Sequence, residues 1–362
     1  MVVRHHMLNA RVMGLGGSQY VMLETAIAFA ERGVETFIDS PFIKSRCDLL
    51  KLADFFGSNT IDSLNIGIGE PDNPRVVINT SGDVLSGPGD IVYLHYPFFL
   101  DYSIYYTPVG GIFDLIGKVY SLMNMIAFPI FIKGVKQFIA NSSFTANLFN
   151  KYLGLKPIVI YPPVNIDDII NERPLGYDER ENYVLIVSRI SPEKHPELAI
   201  YLAKLLRKDN TRVVLAGSAS NYSEIYYESL LEQARREKVD DNIDIYLNIP
   251  REKLVELYRK AFIYLHITPK EHFGISIAEA MAAGTPVIIP INSGSWFDIA
   301  LEDPNIATPY KTLCEVVDIV RDLKENRRKW EFLSNNGYQR ALQLDKRVFR
   351  RKIFEVVRRF IE

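Results

Sequence analysis

Two glutamates, eight residues apart, carry the strongest chemical pattern in this sequence. Glu271 falls in a predicted loop just before a helix, and Glu279 falls two turns into that helix. Gly274, between them, lets backbone amides approach a phosphate closely. Because the surrounding residues are apolar, the segment is expected to be buried, which argues against two ordinary surface glutamates. Glu271 can then reach a sugar, and Glu279 can accept hydrogen bonds from ribose hydroxyls.

Two cations, Arg189 and Lys194, lie in a loop that follows the predicted strand 183–188. The carboxyl ends of parallel strands are where α/β folds bind ligands. An arginine fork and a lysine point charge together suit a diphosphate. Taken alone, the pair would be read as an ordinary solvated loop, so its interpretation depends on the two glutamates.

A glycine-rich turn, Gly14 to Ser18, stands between an opening strand and a helix. Such a turn can bring a phosphate to the helix N-terminus, but it can equally be a plain tight turn. A dinucleotide-binding fingerprint requires a glycine where this chain has Gln19. The broken fingerprint disfavours a dehydrogenase.

Strand-like and helix-like segments alternate along the 362 residues, which predicts two α/β domains of parallel sheet covered by helices on both faces. Prolines 162 and 163 interrupt helix and ladder alike, and we place the domain boundary there. The prediction is a first, acceptor-binding domain over 1–163 and a second, donor-binding domain over 164–345. The C-terminal helix, 346–362, is predicted to pack back onto the first domain, with its arginines and lysines mostly on a solvated face; the alternative is a helix that lies at an anionic membrane surface.

Composition narrows the class of protein. A net charge of −2 with 48% hydrophobic residues is typical of a soluble globular protein and provides no global field for nucleic acid. Two distant cysteines, Cys47 and Cys314, form neither a disulfide framework nor a metal cluster, which favours a reducing cytoplasm. No apolar h-region follows the N-terminus, so no signal peptide is expected.

Taken together, these motifs resemble the retaining glycosyltransferases of family 4, which have the two-domain GT-B architecture with two Rossmann-like domains facing a central cleft. Within that family the chain is most similar to the eukaryotic α-1,2-mannosyltransferases that extend dolichol-linked oligosaccharides. The motifs that carry the resemblance are Glu271 to Glu279, Arg189 to Lys194, Gly16-Gly17, Ala282 to Pro286, Tyr93 to Pro97, Asn141 to Thr145 and Tyr161 to Val164.

The resemblance implies transfer of mannose from GDP-mannose to a glycan or lipid-linked acceptor, with an α-glycosidic bond formed by a front-face mechanism. It further implies that Arg189 and Lys194 hold the diphosphate, Glu271 the sugar and Glu279 the ribose. The residues expected in catalysis are Glu271, His95, Arg189 and Lys194. Those expected to bind the donor are Gly16, Gly17, Arg189, Lys194, Glu271, His272, Phe273, Gly274, Ile275 and Glu279. No Asp-x-Asp pair ends a suitable strand, so neither a catalytic metal nor a cofactor is expected.

Two alternatives remain open from the sequence. One is a retaining transferase that uses a UDP-sugar and a soluble acceptor. The other is a nucleotide-sugar binding module without turnover, which the intact set Arg189, Lys194, Glu271 and Glu279 argues against. His95 alone would more often be a satisfied buried histidine than a sugar contact.

The segment 112–132 is rich in Ile, Phe, Leu and Met, with Asp114 and Lys118 as its charged residues. Its uncharged run, 119–132, contains Pro129 and is shorter than the roughly 18–20 residues that a bilayer crossing needs. The segment can be a pair of core helices, or it can line a groove for a lipid tail or lie in a bilayer interface. We therefore expect a cytoplasmic protein, with weak, salt-sensitive contact at the inner face of the membrane as the alternative to a soluble one.

Overall fold

The computed structural model describes residues 1–6, 16–82, 89–95, 112–218, 224–269 and 271–361. Gly14, Leu15, Tyr96 and Pro97 belong to the motifs above and lie outside the described residues. The chain forms two compact units. The first runs up to Asn165 and is completed by Asp345–Glu362, and the second is Ile166–Leu344.

The first unit contains a seven-stranded parallel sheet in the order β3-β2-β1-β4-β5-β6-β7. The strands are β1 (Val2–Arg4), β2 (Thr36–Asp39), β3 (Ile66–Ile68), β4 (Val77–Asn79), β5 (Ile91–Leu94), β6 (Gln137–Ala140) and β7 (Ile158–Val159). The helices that precede the boundary are α1 (Gly17–Ala30), α2 (Arg46–Phe55), α3 (Ile112–Phe131) and α4 (Ser143–Leu153).

The second unit contains a six-stranded parallel sheet in the order β10-β9-β8-β11-β12-β13. The strands are β8 (Glu181–Val187), β9 (Arg212–Gly217), β10 (Ile243–Leu247), β11 (Ala261–Leu265), β12 (Val287–Pro290) and β13 (Thr308–Tyr310). The helices are α5 (Asp167–Ile170), α6 (Glu197–Leu206), α7 (Glu224–Arg236), α8 (Arg251–Lys260), α9 (Ile275–Ala282), α10 (Leu313–Glu325) and α11 (Arg327–Leu342).

The prediction of two parallel-sheet α/β domains is confirmed. The central strands β5 and β11 are buried along their whole length, as uninterrupted apolar runs covered on both faces require. In each sheet the strand order reverses beside the first strand, between β1 and β4 and between β8 and β11. Ligands of open α/β sheets bind at such a reversal, beyond the carboxyl ends of the strands.

Gln19, the residue that breaks the dinucleotide fingerprint, has a structural role of its own. Gly16 precedes α1 in an extended conformation, and its N–H donates to Oε1 of Gln19 at 3.0 Å. Gln19 therefore satisfies the backbone N–H of Gly16, one of the amides at the start of α1. Gly17 begins the helix and is exposed.

Helix α12 (Lys346–Val357) belongs to the first unit, where Phe349, Ile353 and Val357 are fully buried or nearly so. The expected solvated basic face is wrong for Arg350. Its guanidinium is buried and donates to Glu24 at 2.5 Å and to Glu31 at 2.5 Å. The buried carboxylate of Glu24 on α1 needs a cationic partner. The apolar pattern of the C-terminal helix alone could not show that Arg350 is that partner.

The segment 112–132 is not two core helices. It is one helix, α3, with Pro129 inside its last turn. Asn124 and Phe128 lie on its buried side. Its exposed large apolar residues, between 48% and 70% exposed, are Leu115, Val119, Leu122, Met123, Met125, Ile126 and Ile130. Pro129 removes the N–H that would bond to the carbonyl four residues back, and its ring crowds that carbonyl, which fits a helix that ends two residues later at Phe131.

Candidate active site

The carboxylate of Glu271 lies at the carboxyl edge of the second sheet, where the strand order reverses. It accepts hydrogen bonds from Lys194 Nζ at 2.9 Å, from His266 Nε2 at 3.1 Å and from the N–H of His272 at 3.1 Å. The side chains of Lys194 and Glu271 are each 13% exposed. Glu271 is therefore a mostly buried carboxylate with three donors arranged around it.

Parallel pairing of β8 with β11 brings these residues together across 77 positions of sequence. Lys194 ends a 3-10 turn, Pro192–Lys194, in the loop after β8, and His266 follows directly on β11. The N–H of Ile190 donates to the carbonyl of Ser218 at 2.9 Å and ties that loop to the end of β9. Arg189 lies in the same loop and is half-buried.

Opposing effects act on the pKa of Glu271. Burial raises it, but the Lys194 ammonium and the hydrogen bond from His266 outweigh burial and hold the pKa well below its ordinary value. The carboxylate therefore stays ionised throughout the neutral range. It can stabilise positive charge or accept hydrogen bonds, but it holds no proton to donate as a general acid.

His266 was not singled out from the sequence, although it directly follows a buried apolar strand five residues before Glu271. Its side chain is 4% exposed. Because Nε2 faces a carboxylate, that nitrogen must carry the proton, and Nδ1 then faces the hydroxyl of Tyr264 at 3.4 Å. The sequence signal that could have identified His266 as a site residue is a histidine at the carboxyl end of a buried strand.

The segment from His272 to Ile275 forms the start of α9. Phe273 is 2% exposed, so what it can offer a ligand is backbone. Gly274 has φ 101°, and a Cβ there would lie 2.4 Å from Ile277 Cδ1. The N–H of Gly294 donates to the carbonyl of Glu271 at 2.5 Å, and a Cβ on Gly294 would lie 1.9 Å from the carbonyl oxygen of His272. Glycine is therefore required at Gly274 by its positive φ and the nearby Ile277 side chain, and at Gly294 by the close approach of the backbone.

Glu279 belongs to a different polar network from Glu271. Arg251 NH1 donates to Glu279 Oε1 at 2.6 Å, and the hydroxyl of Tyr258 donates to Oε2 at 3.0 Å. Arg251 also donates to Asp168 through two nitrogens. The two glutamates that the sequence pairs by spacing are thus held by separate partners.

In the first unit, His95 and His5 both form hydrogen bonds with Thr80. The three residues lie just beyond the ends of β5, β1 and β4. His95 Nε2 lies 3.0 Å from the carbonyl oxygen of Thr80, so Nε2 carries the proton and Nδ1 is an acceptor. Thr80 Oγ1 donates to the carbonyl of Arg4 at 3.1 Å and therefore accepts from His5 Nδ1 at 3.2 Å. His95 is half-buried, and its Nδ1 is suited to accept a hydrogen bond from a sugar hydroxyl.

Burial lowers the pKa of His5 to about 3 and that of His95 to about 4, from an ordinary value of 6.5. In the folded chain both rings stay neutral where the unfolded chain binds protons, so their stabilising contribution is present above pH 6.5 and is lost as the pH falls towards 4. At pH 5 each ring accounts for about 2 kcal/mol of lost stability.

We therefore expect the thermal midpoint to fall less between pH 7 and pH 5 in His5→Asn than in the natural chain. Asn keeps a donor near Thr80 and cannot titrate. Scanning calorimetry across that range measures the two slopes. Parallel slopes would contradict the buried neutral state assigned to His5.

Among the described residues, no three or more His, Cys, Asp or Glu side chains are grouped so that they could hold a metal ion. None of the described helices has the length and apolar character needed to cross a membrane.

Comparison with known protein families gives a match within the second unit. Residues 167–340 match the family described as glycosyl transferases group 1. The second unit is a group 1 glycosyltransferase domain. This domain carries Arg189, Lys194, Glu271 and Glu279, and the resemblance of those motifs to glycosyltransferases is confirmed.

Curated relatives match part of the chain. A GDP-Man:Man(3)GlcNAc(2)-PP-Dol alpha-1,2-mannosyltransferase of Dictyostelium discoideum is 26% identical over 199 residues, which are 51% of this chain and 37% of that protein. The Homo sapiens protein of the same name is 32% identical over 44% of this chain and 35% of its own length. A D-inositol 3-phosphate glycosyltransferase of Segniliparus rotundus is 31% identical over 41% of this chain and 36% of its own length. The matched region thus spans well under two thirds of each relative.

Solved structures match almost the whole chain. Anabaena Alr3699/HepE, in complex with UDP and glucose, covers 98% of both chains at 17% identity with a TM-score of 0.67. WaaG, a glycosyltransferase involved in lipopolysaccharide biosynthesis, gives the same coverage, identity and TM-score. The sucrose-phosphate synthase of Thermosynechococcus elongatus covers 100% of this chain and 99% of its own at 14% identity, with a TM-score of 0.71. At these identities the matches show the fold, which is that of GT-B glycosyltransferases.

Proposed function

We propose that this chain is a retaining glycosyltransferase that moves mannose from GDP-mannose to a lipid-linked glycan and forms an α-glycosidic bond. The observation that carries the proposal is the ionised, buried Glu271 held by Lys194 and His266 at the strand reversal of a group 1 domain. Several relatives are named for GDP-mannose and a dolichol-linked acceptor, which supports the choice of donor and acceptor.

In the proposed reaction, the bond between the anomeric carbon and the diphosphate oxygen breaks while the acceptor oxygen bonds to the same face, and the proton of the acceptor hydroxyl passes to the leaving diphosphate oxygen. Lys194, with Arg189 in the same loop, would neutralise charge that develops on the leaving diphosphate. Glu271 would stabilise positive charge that develops on the sugar. His95 would accept a hydrogen bond from a sugar hydroxyl through Nδ1, and Glu279 would receive the ribose hydroxyls.

This assignment uses side-chain cations where other enzymes use a metal, so we propose metal-independent turnover and no bound cofactor. Activity in excess EDTA is the expected result. A loss of activity that added divalent metal restores would overturn this part of the proposal.

Nucleotide preference tests the donor. A ligand that binds only the folded chain stabilises it by about 2.7 kcal/mol at one hundred times its Kd. We expect GDP and GDP-mannose to raise the thermal midpoint more than UDP, ADP and their sugars do. A larger shift with a UDP-sugar would favour the alternative transferase, and shifts without mannose turnover in the presence of a glycan acceptor would favour a binding module.

The exposed face of α3 supports a peripheral membrane location for this activity. Leu115, Val119, Leu122, Ile126 and Ile130 recur at helical spacing and are exposed. Lys118 is exposed on the same face, and the exposed Lys133 lies just beyond the helix end. An apolar stripe with basic residues suits a surface of anionic lipid, where the apolar side chains insert and the lysines meet headgroups. We propose such a surface, at the inner face of a membrane, as the occupant.

Vesicle co-sedimentation tests this face. We expect the chain to bind vesicles that contain anionic lipid at low salt and to bind less at high salt, since screening shortens charge attraction to roughly 10 Å at 0.1 M. Replacing Ile126 and Ile130 with Gln should weaken binding about tenfold or more. Phe332→Gln, at a 52% exposed position on α11, is the matched control. A natural chain that stays in the supernatant at low salt would overturn the membrane proposal.

A further inference from the structure

Arg251 joins two carboxylates that lie far apart in the sequence. Its Nε and NH2 donate to both oxygens of Asp168 at 2.7 and 3.1 Å, and its NH1 donates to Glu279 Oε1 at 2.6 Å. The Arg251 side chain is 25% exposed, and that of Glu279 is 11% exposed. A two-pronged contact on one side and a shielded contact on the other fix the guanidinium in one orientation.

Tyr258 approaches Glu279 from the other side. Its hydroxyl donates to Oε2 at 3.0 Å, and its ring is fully buried. Burial, with the nearby charge of Glu279, raises the pKa of Tyr258 well above its ordinary value, so the hydroxyl keeps its proton. Each carboxylate oxygen thus receives one donor from this pair. An ionised carboxylate has about four acceptor positions, so one acceptor position on each oxygen remains beyond those that Arg251 and Tyr258 use.

Two such positions, one on each oxygen, match the two O–H groups of a vicinal diol. The charges favour the same ligand, since one cation between two anions leaves the Asp168–Arg251–Glu279 group with a net charge of −1. Because Asp168 shares the charge of Arg251, Glu279 is not neutralised by its own partner. Hydrogen bonds to an ionised acceptor are roughly twice as strong as those between neutral groups.

We propose that Arg251 is a positioning residue that orients Glu279 to bind the ribose diol of the donor nucleotide, and that Asp168 shares the charge of Arg251, so that Arg251 does not fully neutralise Glu279. The inference rests on the proposed function and names residues that determine how that donor is recognised. Arg251 acts through Glu279, so its loss removes discrimination between nucleotides with and without the diol.

The experiment compares Kd for GDP and for 2′,3′-dideoxy-GDP by titration calorimetry. We expect the natural chain to prefer GDP on the order of ten- to a hundredfold, the range for a contact to a charged group. Arg251→Met should lose most of that preference and leave the Kd for the dideoxy nucleotide within about threefold. Arg251→Lys should restore part of it, and Asp168→Asn should lower it, because Arg251 then neutralises Glu279.

Arg259→Met is the matched control. Arg259 lies on the same helix, and its guanidinium contacts Glu172 and the carbonyl of Ile169 rather than Glu279. The preference of Arg259→Met for GDP over the dideoxy nucleotide should equal that of the natural chain. Thermal midpoints identify any variant that fails to fold. If Arg251→Met fails to fold, the preference of Arg251→Lys tests the inference instead. Equal preference in the natural chain and in folded Arg251 variants would overturn the inference, as would an equal loss of both affinities. If the natural chain binds no GDP or shows no preference for the diol, the donor assignment itself fails.

Discussion

Glu271→Gln is expected to lower kcat with GDP-mannose by about 10²–10³-fold, the scale found when one preorganised electrostatic contact is removed from an active site. Gln keeps the shape of the side chain but removes its negative charge. Its amide nitrogen could also face Lys194 Nζ, which would place two donors against each other. Steady-state kinetics together with titration of GDP separate the effects on turnover and binding.

The donor Kd should change by less than about threefold, because a contact that strengthens at the reacting sugar acts on the transition state more than on the ground state. Glu228→Gln, at an exposed position on α7, serves as the control and should leave kcat unchanged. A Glu271→Gln enzyme with a raised KM and an unchanged kcat would show uniform binding and contradict the role proposed here.

Sequence spacing predicted which residues belong to this candidate site, but not which side chains contact one another. The pattern around Glu271 and Glu279 correctly indicated a loop followed by a buried helix, because apolar periodicity reports burial directly. It could not show that one glutamate meets Lys194 and the other meets Arg251. Those contacts depend on which strands are neighbours in the sheet, and the β8–β11 pairing skips two strands of the sequence.

The same limit explains the errors outside the site. The sequence shows that α3 has apolar residues around most of its circumference. Among its described side chains, only one side of the helix is buried, and which side that is depends on the elements that pack against it. The helical pattern of α12 predicts a solvated Arg350 because the basic residues of that helix lie mostly away from its apolar face. Its partners, Glu24 and Glu31, are more than 300 positions away.

Loss of the Lys194–Glu271 contact is expected to cause a second large decrease in activity. The pH dependence of that decrease shows whether it arises from protonation of Glu271. The charge of Lys194 is the largest of the effects that lower the pKa of Glu271. Lys194→Met removes that charge, so the pKa of Glu271 should rise from its present position well below the ordinary value. The carboxylate would then bind a proton as the pH falls, and the protonated form lacks the charge that the proposed reaction needs. Activity should therefore increase with pH through the new pKa, whereas in the natural chain Glu271 contributes no such limb at neutral pH.

The size of the loss follows from leaving a buried charge without its partner, which costs about 3–5 kcal/mol, or more than a hundredfold if it falls on the transition state. The measurement is the ratio of kcat/KM between Lys194→Met and the natural chain from pH 6 to 9, since groups common to both cancel in the ratio. Lys204→Met, a change on α6 that breaks the exposed ion pair of Lys204 with Glu237, should give a ratio near one at every pH. A loss of activity that is the same at every pH would show that Lys194 acts on the diphosphate alone, and a ratio that falls as the pH rises would contradict the electrostatic coupling of Lys194 to Glu271.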